Sequence, residues 1–155
     1  MPDIHKRLAD LGLTLPTPPR PVAAYIPFVR SGNLIFVSGQ VPMVEGKVIC
    51  LGPVPSVVSI DQARAAARQC ALNGLAIVQG ALEGDLNNVR QIVRVGVWVC
   101  SDAGFTEQPK VANGASELLV EIFGEHGRHA RAAVGSIALP LGATVEVEML
   151  VEVAP

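Results

Sequence analysis

The sequence predicts an α+β fold, a two-layer sandwich in which one mixed β-sheet carries two helices on a single face. Three observations lead there. Stretches with strand character occur before, between and after two helical stretches, in the order strands, helix, strand, helix, strand, strand. The apolar faces of those helices are rich in alanine and glycine, which suits close approach to a sheet. The C-terminal stretch 143–153 alternates apolar and polar side chains with the period of two that a half-covered strand needs. At 155 residues, 1–155 reads as a single domain able to bury its own core, with residues 1–20 forming an N-terminal helix and a proline-rich arm.

Residues 3–12 place Ile4, Leu8 and Leu11 at helical spacing behind a candidate cap, Asp3, and predict a short amphipathic helix. Residues 15–21 contain Pro16, Pro18, Pro19 and Pro21, which remove donors and fix φ, so an extended arm is expected. A β-hairpin follows, with strands 25–30 and 34–38 about a Gly32-Asn33 turn; Pro27 puts the first strand at an edge or bulge. Stretches 41–44 and 47–49 suggest a second, weaker hairpin, and 51–58, with Pro53 and Pro55, a loop. Ser59-Ile60-Asp61-Gln62 is a capping-box sequence, opening a helix to about Leu82 whose apolar face holds Ala63, Ala67, Cys70, Ala71, Gly74, Ile77, Val78 and Ala81. The alternating valines of 89–100 predict a strand. Thr106 and Pro109 announce a second helix, with Ala112, Ala115, Leu119, Ile122 and Phe123 on one face and an end near Gly124 or Gly127. Stretches 129–138 and 143–153, joined by Leu139-Pro140-Leu141-Gly142, read as a terminal strand pair.

Half of the residues are hydrophobic, 17% are charged and mean hydropathy is +0.41, so part of the surface is expected to be covered by further copies of the chain. A net charge of −2 and 4% aromatics argue against a basic nucleic-acid groove or a stacking platform for single strands. No apolar run reaches the ~18–20 residues of a membrane span, and Met1–Arg7 has no apolar stretch after its basic pair, unlike a signal peptide. Cys50, Cys70 and Cys100 are odd in number and lack a CxxC spacing, so they read as small core residues in a reducing compartment. A cytoplasmic protein without a membrane partner is expected.

Nucleotide-binding glycine motifs, HExxH and GxSxG are absent from the sequence. His126 and His129 straddle Gly127 and fall short of the three convergent ligands of a catalytic zinc, so no metal is expected. Arg131 opens a strand of small residues and Glu146 sits early in the next. On spacing alone the two form a cross-strand ion pair; the functional reading is an anion-gripping arginine with a carboxylate that handles water. Glu146, Glu148 and Glu152 share one strand face, and Asn113 lies on the second helix.

Taken together, Tyr25 with Ser31-Gly32-Asn33, then Val37-Ser38-Gly39-Gln40-Val41-Pro42, Asn113, Ala130-Arg131, Leu139-Pro140 and Val145-Glu146-Val147-Glu148 resemble the RidA/YjgF family, also called L-PSP endoribonuclease-like or translation-inhibitor-like. The resemblance spans about residues 20–153. The N-terminal helix and the segment 51–58 look like elaborations of a long-chain subgroup.

The resemblance implies a chorismate-mutase-like fold assembled as a homotrimer with inter-subunit clefts. It also implies cofactor-free hydrolysis of reactive 2-imino or 2-enamino acids to 2-keto acids and ammonia. Arg131 falls on the arginine that holds the substrate carboxylate and Glu146 on the glutamate that orients water. Tyr25, Ser38, Gly39 and Asn113 fall on positions lining the cleft. Ala133 stands where the family often has cysteine, two residues after the arginine, which removes a contact and leaves room for a different side chain. The alternatives are a non-catalytic trimer that binds a small carboxylate metabolite, and RNA cleavage or translation inhibition. The acidic charge balance disfavours the last of these.

Overall fold

A computed structural model of the chain describes residues 3–18 and 24–155. Strands β1 (Phe28–Ser31), β2 (Leu34–Gln40), β5 (Val89–Cys100), β6 (Ala130–Ser136) and β7 (Val145–Val153) form one mixed sheet in the order β1-β2-β7-β5-β6. Two-residue strands β3 (Met43–Val44) and β4 (Lys47–Val48) make a separate small ribbon. Helices α2 (Ile60–Ala81) and α3 (Gln108–Phe123) cover one face, and a short α1 (Ile4–Asp10) packs beside α3. The α+β architecture with two helices on one face is as the sequence indicates.

The terminal pair is a correction. Strands β6 and β7 are not neighbours: β5 lies between them, parallel to β6 and antiparallel to β7. Strand β5, α3 and β6 form a β-α-β crossover that takes β6 to the sheet edge. The chain then turns through a 3-10 segment, Pro140–Gly142, and β7 fills the centre between β5 and β2. The residues of β7 explain why it tolerates that position. Val145, Val147, Met149, Val151 and Val153 are all buried under the helices, while Glu146, Glu148, Leu150 and Glu152 point the other way. Each such burial is worth roughly 2 kcal/mol, and a one-residue slip would exchange the five apolar side chains for three carboxylates and a leucine.

The Ser59–Gln62 capping box forms, with both reciprocal bonds present, and α2 presents Ala63, Ala67, Cys70, Ala71 and Gly74 as a buried ridge. Helix α3 comes close enough that a Cβ at Gly114 would lie 1.9 Å from the Arg64 carbonyl oxygen, so only glycine fits there. Ion pairs Arg64–Glu117 and Arg68–Glu121 rim this contact. Thr106 does not cap α3; Glu107 occupies the cap without a side-chain bond, and Pro109 lies in the first turn.

The N-terminal helix is built in. Asp3 accepts from the backbone N–H groups of His5 and Lys6, Ile4 is fully buried, and Arg7 Nε donates to Glu121 O at 2.8 Å. Residues 13–18 have no regular structure, and 19–23 of the expected extended arm lie outside the described residues. Strand β1 is shorter than expected, leaving Tyr25 and Ile26 ahead of it. The segment 51–58 is a loop held by isolated bridges, Leu51 to Ala143 and Val54 to Ser101. All three cysteines are unpaired, and among the described residues no helix is long and apolar enough to cross a membrane.

Among the described residues, no second layer covers the face of the sheet away from the helices. Phe36 is 48% exposed there, near Leu150 and an Arg94–Glu148 ion pair at 3.3 Å, and Trp98 lies on the same face.

Candidate functional site

The strand register splits the expected site residues into two groups. Arg131 pairs with Val95, whose side chain is buried beneath the helices, so Arg131 leaves β6 on the helical face. Glu146 pairs with Trp98 and leaves β7 on the opposite, uncovered face. Two strand spacings across and three residues along separate their Cα atoms by on the order of 14 Å. The cross-strand ion pair that spacing suggested is therefore not formed, and a small acid cannot touch both residues of one chain. Asn113 and Ala133 lie with Arg131 and Gly39 lies with Glu146; Ser38 precedes Gly39 in β2, and Tyr25 lies ahead of β1.

On the arginine side, a guanidinium has five N–H donors. Arg131 Nη1 gives one hydrogen to Asn113 Oδ1 at 2.8 Å and one to Ser116 Oγ at 3.1 Å. Asn113 and Ser116 are three apart on α3 and so present one helical face to the strand. With both Nη1 hydrogens committed, the Nε–Nη2 edge remains, and that edge matches the two oxygens of a carboxylate. Ala133 follows on the same strand face, half-buried against the core.

Ser116 has a further neighbour. Its Oγ lies 2.9 Å from His129 Nε2, and His129 Nδ1 lies 2.6 Å from the Gly127 carbonyl oxygen. Burial pushes the His129 imidazole below its ordinary pKa; the Gly127 bond opposes this in part and the Arg131 charge adds to it.

On the glutamate side, Val37 pairs with Met149 and Gln40 with Val147, so Ser38 and Gly39 oppose the single residue Glu148 in a β-bulge. Ser38 N donates to Pro27 O at 2.9 Å and Ser38 Oγ to Ile26 O at 2.8 Å, which ties down the segment carrying the exposed Tyr25. A Cβ on Gly39 would lie 2.1 Å from Glu146 Oε1: the carboxylate occupies the space that glycine leaves. Burial raises the Glu146 pKa above the usual carboxylate value, and the negative charge of Glu148 raises it further. A half-buried carboxylate of this kind takes and returns a proton more readily than a free one.

The sequence reading passed over Ser116 and His129. Asn113 and Ser116 at three-residue spacing, facing an arginine strand, were the available signal; His129 was weighed only as a metal ligand beside His126. Both of its ring nitrogens face protein partners, and among the described residues no three His, Cys, Asp or Glu side chains are grouped to hold a metal ion. A concavity of about 570 Å³ is lined by Pro16, Thr17, Met43 and Asn73 among others, and one of about 400 Å³ by Ile49, Leu51, Val57 and Gln62 among others; neither includes Arg131 or Glu146.

Comparison with known proteins agrees with this architecture. The model of a family described as YjgF/chorismate mutase-like, with a provisional endoribonuclease label, matches residues 5–153. Protein TCP17 of Trypanosoma cruzi is 45% identical over 96% of this chain and 93% of its own length. A 2-iminobutanoate/2-iminopropanoate deaminase of Dermatophagoides farinae is 28% identical over 90% of this chain and 93% of its own. Among solved structures, protein Atu1372 of Agrobacterium tumefaciens, described as of unknown function, superposes with a TM-score of 0.89 at 46% identity, covering 97% of this chain and 92% of its own.

Proposed function

The chain belongs to the YjgF/chorismate mutase-like family, and on that premise we propose that it hydrolyses reactive 2-imino or 2-enamino acids to 2-keto acids and ammonia. The observation that carries this reading is Arg131, whose Nη1 is spent on Asn113 and Ser116 while its remaining edge faces outward as a ready carboxylate clamp. The name of the mite relative, a 2-iminobutanoate/2-iminopropanoate deaminase, supports the same substrate class.

Because Arg131 and Glu146 sit on opposite faces of one sheet, a complete site takes the arginine group from one copy and the glutamate group from another. In our reading the copies form a trimer through the uncovered sheet faces, which would also cover Phe36 and its neighbours. The Nε–Nη2 edge of Arg131 holds the substrate carboxylate. Glu146 orients a water and takes its proton as the oxygen bonds to the imine carbon. That proton passes to the nitrogen, the C–N bond breaks as the remaining hydroxyl hydrogen goes to Glu146 and the carbonyl forms, ammonia leaves and the 2-keto acid remains. A protonated imine is already electrophilic, so placing the water and fixing the substrate supply most of the acceleration.

The test is turnover. Freshly generated 2-iminobutanoate and 2-iminopropanoate should yield ammonia and keto acid faster with wild-type protein than with Arg131→Ala or with buffer alone. Unchanged decay with wild type would remove the deaminase reading. Ala133, which lacks the polar atom common at that position, favours one second reading, a trimer that binds a small carboxylate without converting it. Saturable, Arg131-dependent binding of 2-oxobutanoate with no ammonia released would establish that reading instead.

A further inference from the structure

Resting on that reading of Arg131, we propose that Ser116 and His129 are positioning residues that hold its guanidinium at the angle the substrate carboxylate needs. An arginine on an edge strand, free to rotate, loses much side-chain entropy when it grips an anion. Here the loss is met in advance by a directed chain of hydrogen bonds.

The direction follows from what each atom can do. The Gly127 carbonyl only accepts, so His129 Nδ1 carries the hydrogen that fills the 2.6 Å contact. In the neutral ring, Nε2 is then an acceptor, and the Ser116 hydroxyl donates to it at 2.9 Å. With its own hydrogen turned toward His129, Ser116 Oγ presents lone pairs to Arg131 Nη1 at 3.1 Å. Asn113 Oδ1 takes the other Nη1 hydrogen at 2.8 Å. Reversing any link would set two donors or two acceptors against each other.

The anchor at the far end is rigid. Gly127 is buried, and a Cβ there would lie 2.2 Å from the Leu119 carbonyl oxygen, so the turn that carries it is pressed against α3. The imidazole is therefore fixed by main chain at one end and by α3 through Ser116 at the other. Neither residue reaches the free Nε–Nη2 edge. They act through Arg131 and not on the reacting atoms.

The experiment compares intact, assembled wild type with Ser116→Ala, His129→Ala, His129→Gln, the double alanine variant and Arg131→Ala. Kinetics on fresh 2-iminobutanoate are read beside calorimetric binding of 2-oxobutanoate. Ser116→Ala and His129→Ala should each raise KM and the keto-acid Kd about 5- to 10-fold, the loss of one hydrogen bond from the chain that holds Arg131, with kcat within about two-fold. The double variant should be no worse than either single, because both cut one chain. His129→Gln, whose amide oxygen can still accept from Ser116, should recover most of the affinity.

Wild-type KM and Kd in Ser116→Ala, alongside lost binding in Arg131→Ala, would overturn the positioning role and leave the arginine clamp standing. Wild-type binding by Arg131→Ala would instead overturn the clamp itself. If Ser116→Ala fails to fold by circular dichroism, the two His129 variants decide: equal affinities for His129→Ala and His129→Gln contradict the proposal.

Discussion

The two halves of the candidate site are built on opposite physical plans. The arginine half is a hydrogen-bonded network in which Asn113 and Ser116, itself held by His129, fix Nη1 of a permanent charge, so its remaining donors are preset before any ligand arrives. The glutamate half is left under tension. Glu146 sits half-buried against a glycine gap with Glu148 close by, and both burial and that charge disfavour its ionised form. The first plan suits holding a fixed anion; the second suits a group that must change protonation state during turnover. In the proposed mechanism, their placement on opposite faces of one sheet calls for a second copy to complete the site.

Four measurements break or sharpen this contrast. The binding half answers through KM: Arg131→Ala should raise it by about 100-fold or more, since a bidentate charge-assisted contact is lost outright. Arg131→Lys should recover little, because an ammonium cannot fill the fork. In the chemical half, Glu146→Gln should lower kcat by roughly 10²- to 10⁴-fold while leaving 2-oxobutanoate affinity near wild type. Equal effects on KM from both variants would erase the distinction between the halves.

Gly39→Ala is a milder probe of the same carboxylate. The added Cβ meets Glu146 Oε1 at 2.1 Å, so the carboxylate must swing away, and kcat should fall by about ten-fold with unchanged keto-acid binding. Unaltered kcat in a folded Gly39→Ala protein would show that the position of Glu146 is not critical.

The smallest effect is in the pH profile. In the proposed mechanism Glu146 works ionised; its pKa is raised, so kcat should decline on acidification with a midpoint above that of an ordinary glutamate. Glu148→Gln removes the second cause and should move that midpoint to lower pH. A midpoint at the usual glutamate value in wild type would contradict the assignment of Glu146 as the titrating group.

The α+β class and each main element were legible because they depend on local rules: the Ser59–Gln62 capping box, the alanine ridge of α2 and the strict alternation of β7. Strand neighbours were not. The alternation of β7 records which face is covered but not which strands flank it, and the small side chains of Ala130–Ser136 fit an edge strand or a hairpin arm equally well. Reading β6 and β7 as a pair led directly to an Arg131–Glu146 ion pair, which the intervening β5 abolishes. The division of the candidate residues between two faces was hidden, since face depends on register with β5. Ser116 and His129 escaped because the hydrogen bonds that give them meaning join α3 to residues 127–131, a contact that no local pattern encodes.

Subunit complementation tests the two-copy site most directly. Arg131→Ala and Glu146→Gln chains, each inactive alone, are unfolded, mixed in equal amounts, refolded together and assayed on 2-iminobutanoate. If each site takes its arginine from one copy and its glutamate from another, random assembly leaves both residues intact at about a quarter of the sites, and about a quarter of wild-type turnover returns. Activity no greater than that of the two parents would mean that Arg131 and Glu146 serve one chain, and the two-copy site would be wrong.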